Sequence, residues 1–316
     1  MKTKLDTISP DKIVRNPDNP RLIFRQDELD VLLNSIRKVG IRVPLSVYSD
    51  AKKNRYVILD GERRWLCSKK LNLKQIPVVI EPEPSRLENI LRMFNIHNVR
   101  VQWDLYAIAK KLEQVKKLLL KEEKTESIKD LAAVTGLTQS TVKRAFDLLT
   151  LPDKYLKLLE EELKKPKSEQ KYSEDFFLEM LKAIKAMERH TPIVIKAHSR
   201  DKIIGSFVKK YDNDVITNIV KFREISKIAR SEKAGVTQEK TVPILNKLIK
   251  DPTYTIESAY SDSVSKAYEK RNLQRDIESL AKKLMEIIKK VSTPDDAVVK
   301  ALKQLQKIVQ NLLNKI

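Results

Sequence analysis

A short stretch near residue 60 combines residue types that suit the binding of an anion. An apolar run at residues 56–59 leads into Gly61, and a segment of helical character then opens with Glu62, Arg63 and Arg64. The first turn of a helix has backbone N–H groups without an intrahelical partner and a partial positive charge. Two arginines in that turn could bind phosphate oxygens through paired hydrogen bonds. The alternative is an ordinary turn whose arginines pair with surface carboxylates such as Glu62.

The elements that must position this turn are short strands and helices that alternate along the N-terminal part. An extended segment opens the domain at residues 5–14, a turn-rich loop follows at residues 16–21, and Gly40 is placed to end a helix. The patterns predict helices at residues 27–39 and 62–70, and strands at residues 43–48, 55–59 and 76–80. A small α/β domain would therefore hold Gly61 where a strand passes into a helix.

A second stretch, residues 127–146, has the spacing of a helix-turn-helix. Ser127 and Asp130 suit the cap of a first helix, Ala132 is small where two helices would cross, and Gly136 suits the turn. The second helix would open at Thr138 or at the next residue. Side chains outside the expected core could reach bases and phosphates in a major groove, namely Gln139, Ser140, Thr141, Lys143 and Arg144. The alternative is a helical corner that serves only packing.

Composition supports a mostly helical protein with a polyanionic partner. The chain has 316 residues, a net charge of +20 spread along its length, 34% charged residues and only five glycines. The sequence has no apolar run of 18 residues and no apolar signal core after Met1, so we expect a cytoplasmic protein without a membrane contact. The single cysteine, Cys67, excludes an internal disulfide and a cysteine-based zinc cluster, and we expect it in the core.

Four motifs in order resemble the N-terminal domain of ParB-family partition proteins. They are Asn19-Pro20-Arg21, residues 40–45, residues 61–64 and residues 76–79, and the helix-turn-helix extends the resemblance to about residues 5–160. The resemblance implies a ParB/sulfiredoxin-like domain that binds CTP, or another nucleoside triphosphate, together with Mg²⁺. It also implies the nucleotide-binding residues, which are Gly61, Glu62, Arg63, Arg64, Arg21 and Asn98.

The magnesium side of that implied site has two candidate positions. The family signature Glu-Asn-x-x-Arg is matched in letters by the segment that begins with Glu88 and Asn89, whereas His97 and Asn98 lie in better register with the next helix. We expect Asn98 to be the magnesium ligand, with Glu88 or Asn89 as the alternative. Because a neutral imidazole cannot replace a carboxylate beside Mg²⁺, enzymatic activity stays open, as a CTPase with weak or absent hydrolysis.

The rest of the chain is predicted to be helical. A charged stretch at residues 161–170 suggests a linker, and residues 171–260 suggest amphipathic helices broken near residues 191–192, 205, 234–235 and 251–252. Two apolar heptad stripes follow within residues 270–316. They favour either a dimer interface or an intramolecular hairpin that covers the preceding helices.

The predicted fold class is mainly α with a small N-terminal α/β domain, a helix-turn-helix, and an all-helical C-terminal part that ends in a helical hairpin. Three domains are predicted. Residues 1–100 would form the nucleotide-binding domain, residues 101–160 the helix-turn-helix DNA-binding domain, and residues 171–316 the helical C-terminal region. The resemblance implies a CTP-responsive DNA clamp in DNA partition, segregation or regulation. Its expected partners are DNA, a second copy and a partition ATPase, and its expected place is the nucleoid. The alternative is an enzyme of the same fold, either a nuclease or a nucleotide-dependent phosphotransferase.

Overall fold

The chain begins with five strands interleaved with helices and continues as helices alone. The computed structural model describes residues 3–19, 24, 26–50, 53–98, 104–121, 127–290 and 295–314. The strands are β1 (Lys4–Ile8), β2 (Ile13–Val14), β3 (Leu45–Asp50), β4 (Arg55–Asp60) and β5 (Ile76–Glu81). The first helices are α1 (Gln26–Val39), α2 (Glu62–Lys70), α3 (Arg86–Asn98), α4 (Leu105–Lys121), α5 (Ile128–Thr135), α6 (Gln139–Leu148) and α7 (Asp153–Lys164). The later helices are α8 (Glu174–His190), α9 (Pro192–Ala197), α10 (Arg200–Asp212), α11 (Phe222–Ala229), α12 (Gln238–Lys250), α13 (Ile256–Ser263), α14 (Ser265–Lys290) and α15 (Asp296–Leu313).

The strands form one mixed sheet in the order β1-β5-β3-β4-β2. Strand β3 runs antiparallel to β4 and parallel to β5, whereas β1 is antiparallel to β5. Apolar side chains fill the interior of the sheet, among them Leu45, Val47, Ile58, Ile76 and Val78. Strand β4, which lies between β3 and β2, ends at Asp60, so the sheet core fixes the position from which the Gly61 turn departs.

Helices α1 and α2 build a second small core beside the sheet. Leu29, Ile36 and Cys67 are buried together there, and the Cys67 thiol lies 3.6 Å from the carbonyl oxygen of Leu29. Burial raises the pKa of the Cys67 thiol, while the positive charges of Arg63 and Lys70 act in the opposite direction. Cys67 is therefore a core residue, as the sequence predicted.

The chain forms two units. The first contains residues 1–185 and 198–223, and the second contains residues 186–197 and 224–316. This division does not separate residues 1–100 from 101–160, so those two boundaries stay predictions. The predicted fold class is confirmed, with a small N-terminal sheet followed by helices. None of the helices that the structure describes combines the length and apolar character needed to cross a bilayer.

Two expectations about the first unit are wrong. Residues 161–170 are the end of α7 and a short 3-10 helix, because buried Glu162 accepts hydrogen bonds from Lys165 Nζ (2.6 Å) and from the backbone N–H of Lys171 (2.6 Å). Gly205 does not break a helix but lies within α10. A β-carbon at that position would lie 3.1 Å from the hydroxyl of Tyr155, so close packing requires the small residue.

The two heptad stripes lie on α14 and α15, on either side of residues 291–294, which are outside the described residues. Their apolar side chains are largely exposed, with Leu273 62%, Ile277 59% and Leu312 59% exposed. The sequence pattern predicts that these stripes are buried, but most of their side chains are exposed in the single chain.

Candidate nucleotide-binding turn and DNA-reading helix

Gly61 has a backbone conformation that other residues rarely adopt. Its φ is +98°, and a β-carbon added there would lie 2.9 Å from Arg64 Nη2 and 2.9 Å from Leu45 Cγ. Gly61 is also the N-cap of α2, and no side chain accepts a hydrogen bond at this cap. The N-terminus of α2 thus lacks the carboxylate or hydroxyl that often occupies such a position.

Glu62 is buried, although it directly follows the glycine. Its carboxylate forms an ion pair with Arg15 (2.5 Å) and accepts a hydrogen bond from the side-chain amide of Asn19. The surface pairing with Arg63 or Arg64 that the sequence left open is replaced by this pairing with the loop after β2. Glu62 therefore joins Arg15 and Asn19 to the start of α2.

Arg63 is anchored at one end of its guanidinium group only. Its Nη2 donates to the carbonyl oxygen of Glu28 (2.8 Å), and Nη1 lies 3.8 Å from the Glu28 carboxylate. Its Nε–H is buried and has no acceptor among the described residues. A buried N–H without an acceptor is costly, which makes the Arg63 Nε–H a candidate donor for an anion.

Arg64 is used within the fold. Its Nη1 donates to the carbonyl oxygens of Val43 and Pro44, the latter at 2.8 Å, and its Nη2 donates to the Asp60 carboxylate at 3.0 Å. The Arg64 side chain is only 17% exposed. In this structure Arg64 ties α2 to the turn before β3, whereas the Arg63 Nε–H has no acceptor among the described residues.

Of the remaining predicted nucleotide and metal residues, only Glu88 and Asn89 have side chains within the described part of the chain. Arg21 lies outside the described residues, and so does the side chain of Asn98, whose backbone ends α3. Glu88 is exposed and forms an ion pair with Arg92 (2.7 Å). Asn89 is buried and exchanges two hydrogen bonds with Asn16, at 3.0 and 3.2 Å. The described residues contain no group of three or more His, Cys, Asp or Glu side chains that could hold a metal ion.

The helix-turn-helix is formed by α5 and α6. Ser127 caps α5 through its hydroxyl and the Asp130 N–H (3.1 Å), and Gly136 ends it with φ +69°. Thr138 caps α6 in the same way through the Thr141 N–H (3.1 Å), so the second helix begins at Gln139. The inner face of the pair is made by the buried side chains of Leu131, Ala132, Val142, Ala145 and Leu148.

The outer face of α6 presents most of the predicted DNA-binding side chains. Gln139, Ser140, Lys143 and Arg144 are exposed, and Thr141 is half-buried. Arg144 forms an ion pair, because its Nη2 lies 2.8 Å from the carboxylate of Asp175 at the start of α8. No local sequence pattern indicates the role of Asp175, because it lies 31 positions from Arg144.

The sheet, the Gly61 turn and the helix-turn-helix together define a class of architecture. A mixed sheet delivers a glycine turn with an uncapped helix N-terminus, and a helix-turn-helix follows in the same unit. This is the arrangement of a ParB/sulfiredoxin-like domain joined to a helix-turn-helix, which the four ordered motifs predicted.

Comparison with known proteins agrees with that class. Residues 1–99 match the model of the ParB N-terminal domain. The chromosome-partitioning protein ParB of Caulobacter vibrioides (strain NA1000 / CB15N) is 36% identical over 140 residues, which cover 44% of each chain. The chain spans about half the length of the curated relatives that it matches. Over its N-terminal half the chain is therefore similar to ParB proteins, and residues 1–99 match their N-terminal domain.

Two crystal structures of C-terminally truncated ParB from Caulobacter crescentus are also similar. The complex with CTP-gamma-S is 31% identical and covers 49% of this chain and 85% of that chain, with a TM-score of 0.28. The complex with the centromeric parS site is 23% identical, and the match covers 71% of this chain and 98% of that chain, with a TM-score of 0.40.

Proposed function

We propose that this protein is a ParB-like DNA-binding protein that responds to CTP and acts in DNA partition, segregation or regulation. The observation that carries the proposal is the pairing, within one unit, of a ParB N-terminal domain with an exposed reading face on α6. ParB of Caulobacter vibrioides, which is similar over the same half of the chain, is a chromosome-partitioning protein. The proposed cellular location is the nucleoid.

The nucleotide would bind at the α2 N-terminus. Backbone N–H groups of the first helical turn and the Arg63 Nε–H would hold phosphate oxygens, and the Gly61 turn would allow their close approach. Arg21 and Asn98 complete the proposed site, with Mg²⁺ on the Asn98 side. We favour Asn98 over Asn89, because both polar atoms of the Asn89 side chain already bond to Asn16. Bound Mg²⁺ would neutralise part of the triphosphate charge.

The DNA site would be read by α6. Gln139 and Ser140 lie at the N-terminal end of the helix, where recognition helices contact base edges, and Lys143 and Arg144 follow one turn later. Arg144 must exchange its contact with Asp175 for a contact with DNA. Because an exposed ion pair contributes at most about 1 kcal/mol, that exchange is readily reversible.

A second copy of the chain is the proposed partner of the exposed stripes on α14 and α15. Two reading heads would match a two-fold symmetric DNA site and convert single contacts into a clamp. A partition ATPase is a further proposed partner on the basis of the ParB resemblance.

The proposal is tested by a footprint of the protein on DNA from its own genome, with and without CTP. We expect protection of a small number of sites, and a change of the protected length when CTP is added. The Lys143→Ala/Arg144→Ala variant should weaken site binding by about 1–3 kcal/mol for each base-reading side chain. Unchanged affinity of this variant near physiological salt would contradict the assignment of α6. A parallel assay for released cytidine diphosphate would distinguish a sensor from an enzyme.

A further inference from the structure

The second unit carries a cluster of cations around two stacked tyrosines. The rings of Tyr260 and Tyr268 stack with centroids 6.3 Å apart and planes at 28°. The ammonium nitrogen of Lys227 lies 5.3 Å from one ring centroid and 5.8 Å from the other. The Tyr268 hydroxyl also donates to the Lys227 carbonyl oxygen (3.3 Å). Lys227 is exposed, yet two aromatic rings and this backbone bond hold it in place.

Three more exposed cations, Arg230, Lys233 and Arg271, belong to the same unit. Arg271 donates through Nη1 to the carbonyl oxygen of Lys233 (2.6 Å), and the rest of its planar guanidinium has further donors. Burial raises the pKa of Tyr268, and the charges of Arg271 and Arg230 act on it in the opposite direction, so both cations lie near this ring. The pKa of nearby His190 is lowered first by partial burial and then by the charges of Arg230 and Lys233. We call the set of Lys227, Arg230, Lys233 and Arg271 with the two tyrosines the Lys227 patch.

Carboxylates border the Lys227 patch without neutralising it. Glu224 and Glu269 lie close enough to raise the pKa of Tyr260, after the larger effect of burial. Glu232 instead accepts a hydrogen bond from Gln238 (3.0 Å). Within the part of the chain that the structure describes, no ion pair holds any of the four cations of the patch.

We propose that the Lys227 patch is a second DNA-binding surface, which contacts the phosphate backbone of duplex DNA without reading its sequence. Lysine and arginine donors are the groups that usually contact phosphate oxygens. Single-stranded nucleic acid is the less suitable ligand, because it needs aromatic faces on which bases stack. Here the two rings stack on each other and beneath Lys227. This surface lies in a different unit from α6 and goes beyond the proposed site-specific function.

The test compares two variants of the full chain that lose the same charge. Lys227→Gln/Arg230→Gln/Lys233→Gln removes cations of the patch, and Lys282→Gln/Lys289→Gln/Lys307→Gln removes exposed lysines from outward positions of α14 and α15. Fluorescence anisotropy measures the Kd for a duplex of random sequence over a range of salt concentrations. We expect the slope of log affinity against log salt to fall by about 0.9 for each lost phosphate contact in the patch variant, and to stay unchanged in the control. Circular dichroism checks that both variants are folded.

The same measurement in the Lys143→Ala/Arg144→Ala background separates this proposal from the proposed function. The patch should still contribute its share of the slope when α6 is disabled, even if no specific DNA site is ever found. Equal slopes for the patch variant and the charge-matched control would overturn the proposal. Preferential competition by single-stranded RNA over duplex DNA would overturn the choice of ligand.

A further pair of variants tests the positioning role of the tyrosines, since neither changes the net charge. Tyr260→Phe keeps the ring beneath Lys227 and should leave the Kd for random duplex unchanged. Tyr260→Leu removes the ring and should weaken binding several-fold in low salt while the fold is retained. Equal Kd values for the two variants would show that the ring does not position Lys227.

Discussion

At the scale of single residues, the two neighbouring arginines of the turn have different tasks. Arg63 has a buried Nε–H without an acceptor among the described residues, whereas Arg64 donates to two backbone carbonyls and to Asp60. The sequence predicted both as phosphate ligands from their common turn. It could not show that the carbonyls of Val43 and Pro44 approach Arg64, because that contact is made by the fold of a distant loop.

The first prediction follows from the bonds of Arg64. Arg64→Ala should lower the free energy of unfolding by about 1–3 kcal/mol, because it leaves the carbonyls of Val43 and Pro44 without a partner. Urea unfolding followed by circular dichroism measures this change. Arg63→Ala is the control, and we expect a smaller effect on stability since it breaks a single backbone contact. A larger loss of stability in Arg63→Ala would reverse our assignment of the two side chains.

The second prediction concerns the contact between the reading helix and α8. Asp175→Asn removes the carboxylate that pairs with Arg144, so the guanidinium becomes available to DNA at less cost. We expect the affinity for DNA to rise by up to about fivefold, which corresponds to the upper value of about 1 kcal/mol for an exposed ion pair. Glu239→Gln, an exposed change of the same charge in the second unit, is the control. An equal rise in both variants would show a general charge effect instead of a released arginine.

At the scale of elements, patterns of local origin are predicted well. The starts of α2 at Glu62 and of α6 at Gln139 could be predicted, because a glycine turn and a threonine cap precede them in the sequence. The errors have long-range causes. Residues 161–170 do not form a linker because a buried Glu162 fastens them, and Gly205 lies within α10, where the Tyr155 side chain packs close to it. In the candidate site, the glycine and arginines were predicted, but the pairing of Glu62 with Arg15 and Asn19 was not.

The third prediction tests the cap of α6. Thr138→Ala should lower the free energy of unfolding by about 1 kcal/mol, because the Thr141 N–H loses its side-chain acceptor. It should also weaken DNA binding, since Gln139 and Ser140 then lie in a frayed first turn. Thr138→Ser keeps the hydroxyl and should retain both properties, as measured by thermal unfolding and anisotropy. If Thr138→Ser weakened binding as much as Thr138→Ala, the cap would not be the cause.

At the scale of the whole molecule, the exposed stripes of α14 and α15 leave apolar area without cover. Leu280 and Ile287 are 41% and 40% exposed, and they repeat at heptad spacing with their neighbours. Burial of such side chains contributes roughly 1.5–3 kcal/mol each. A second copy of the chain offers the same stripe in return, which an isologous interface requires.

The fourth prediction tests this proposed dimer. Leu280→Glu/Ile287→Glu should convert a dimer to a monomer in sedimentation equilibrium, because the charges would be buried in the interface. Lys282→Glu/Lys289→Glu changes outward positions of the same helix and should leave the dimer intact. A wild-type protein that sediments as a monomer at all concentrations would contradict the dimer.

The central claim is that the α2 N-terminus and Arg63 form a nucleoside triphosphate site. Isothermal titration calorimetry of CTP and Mg²⁺ into the wild type and into Arg63→Ala tests it most directly. Loss of a charge-assisted hydrogen bond of about 1.5–3 kcal/mol predicts that Arg63→Ala binds CTP more than tenfold more weakly than the wild type. Absence of binding for all four ribonucleoside triphosphates, with and without DNA, would contradict the claim.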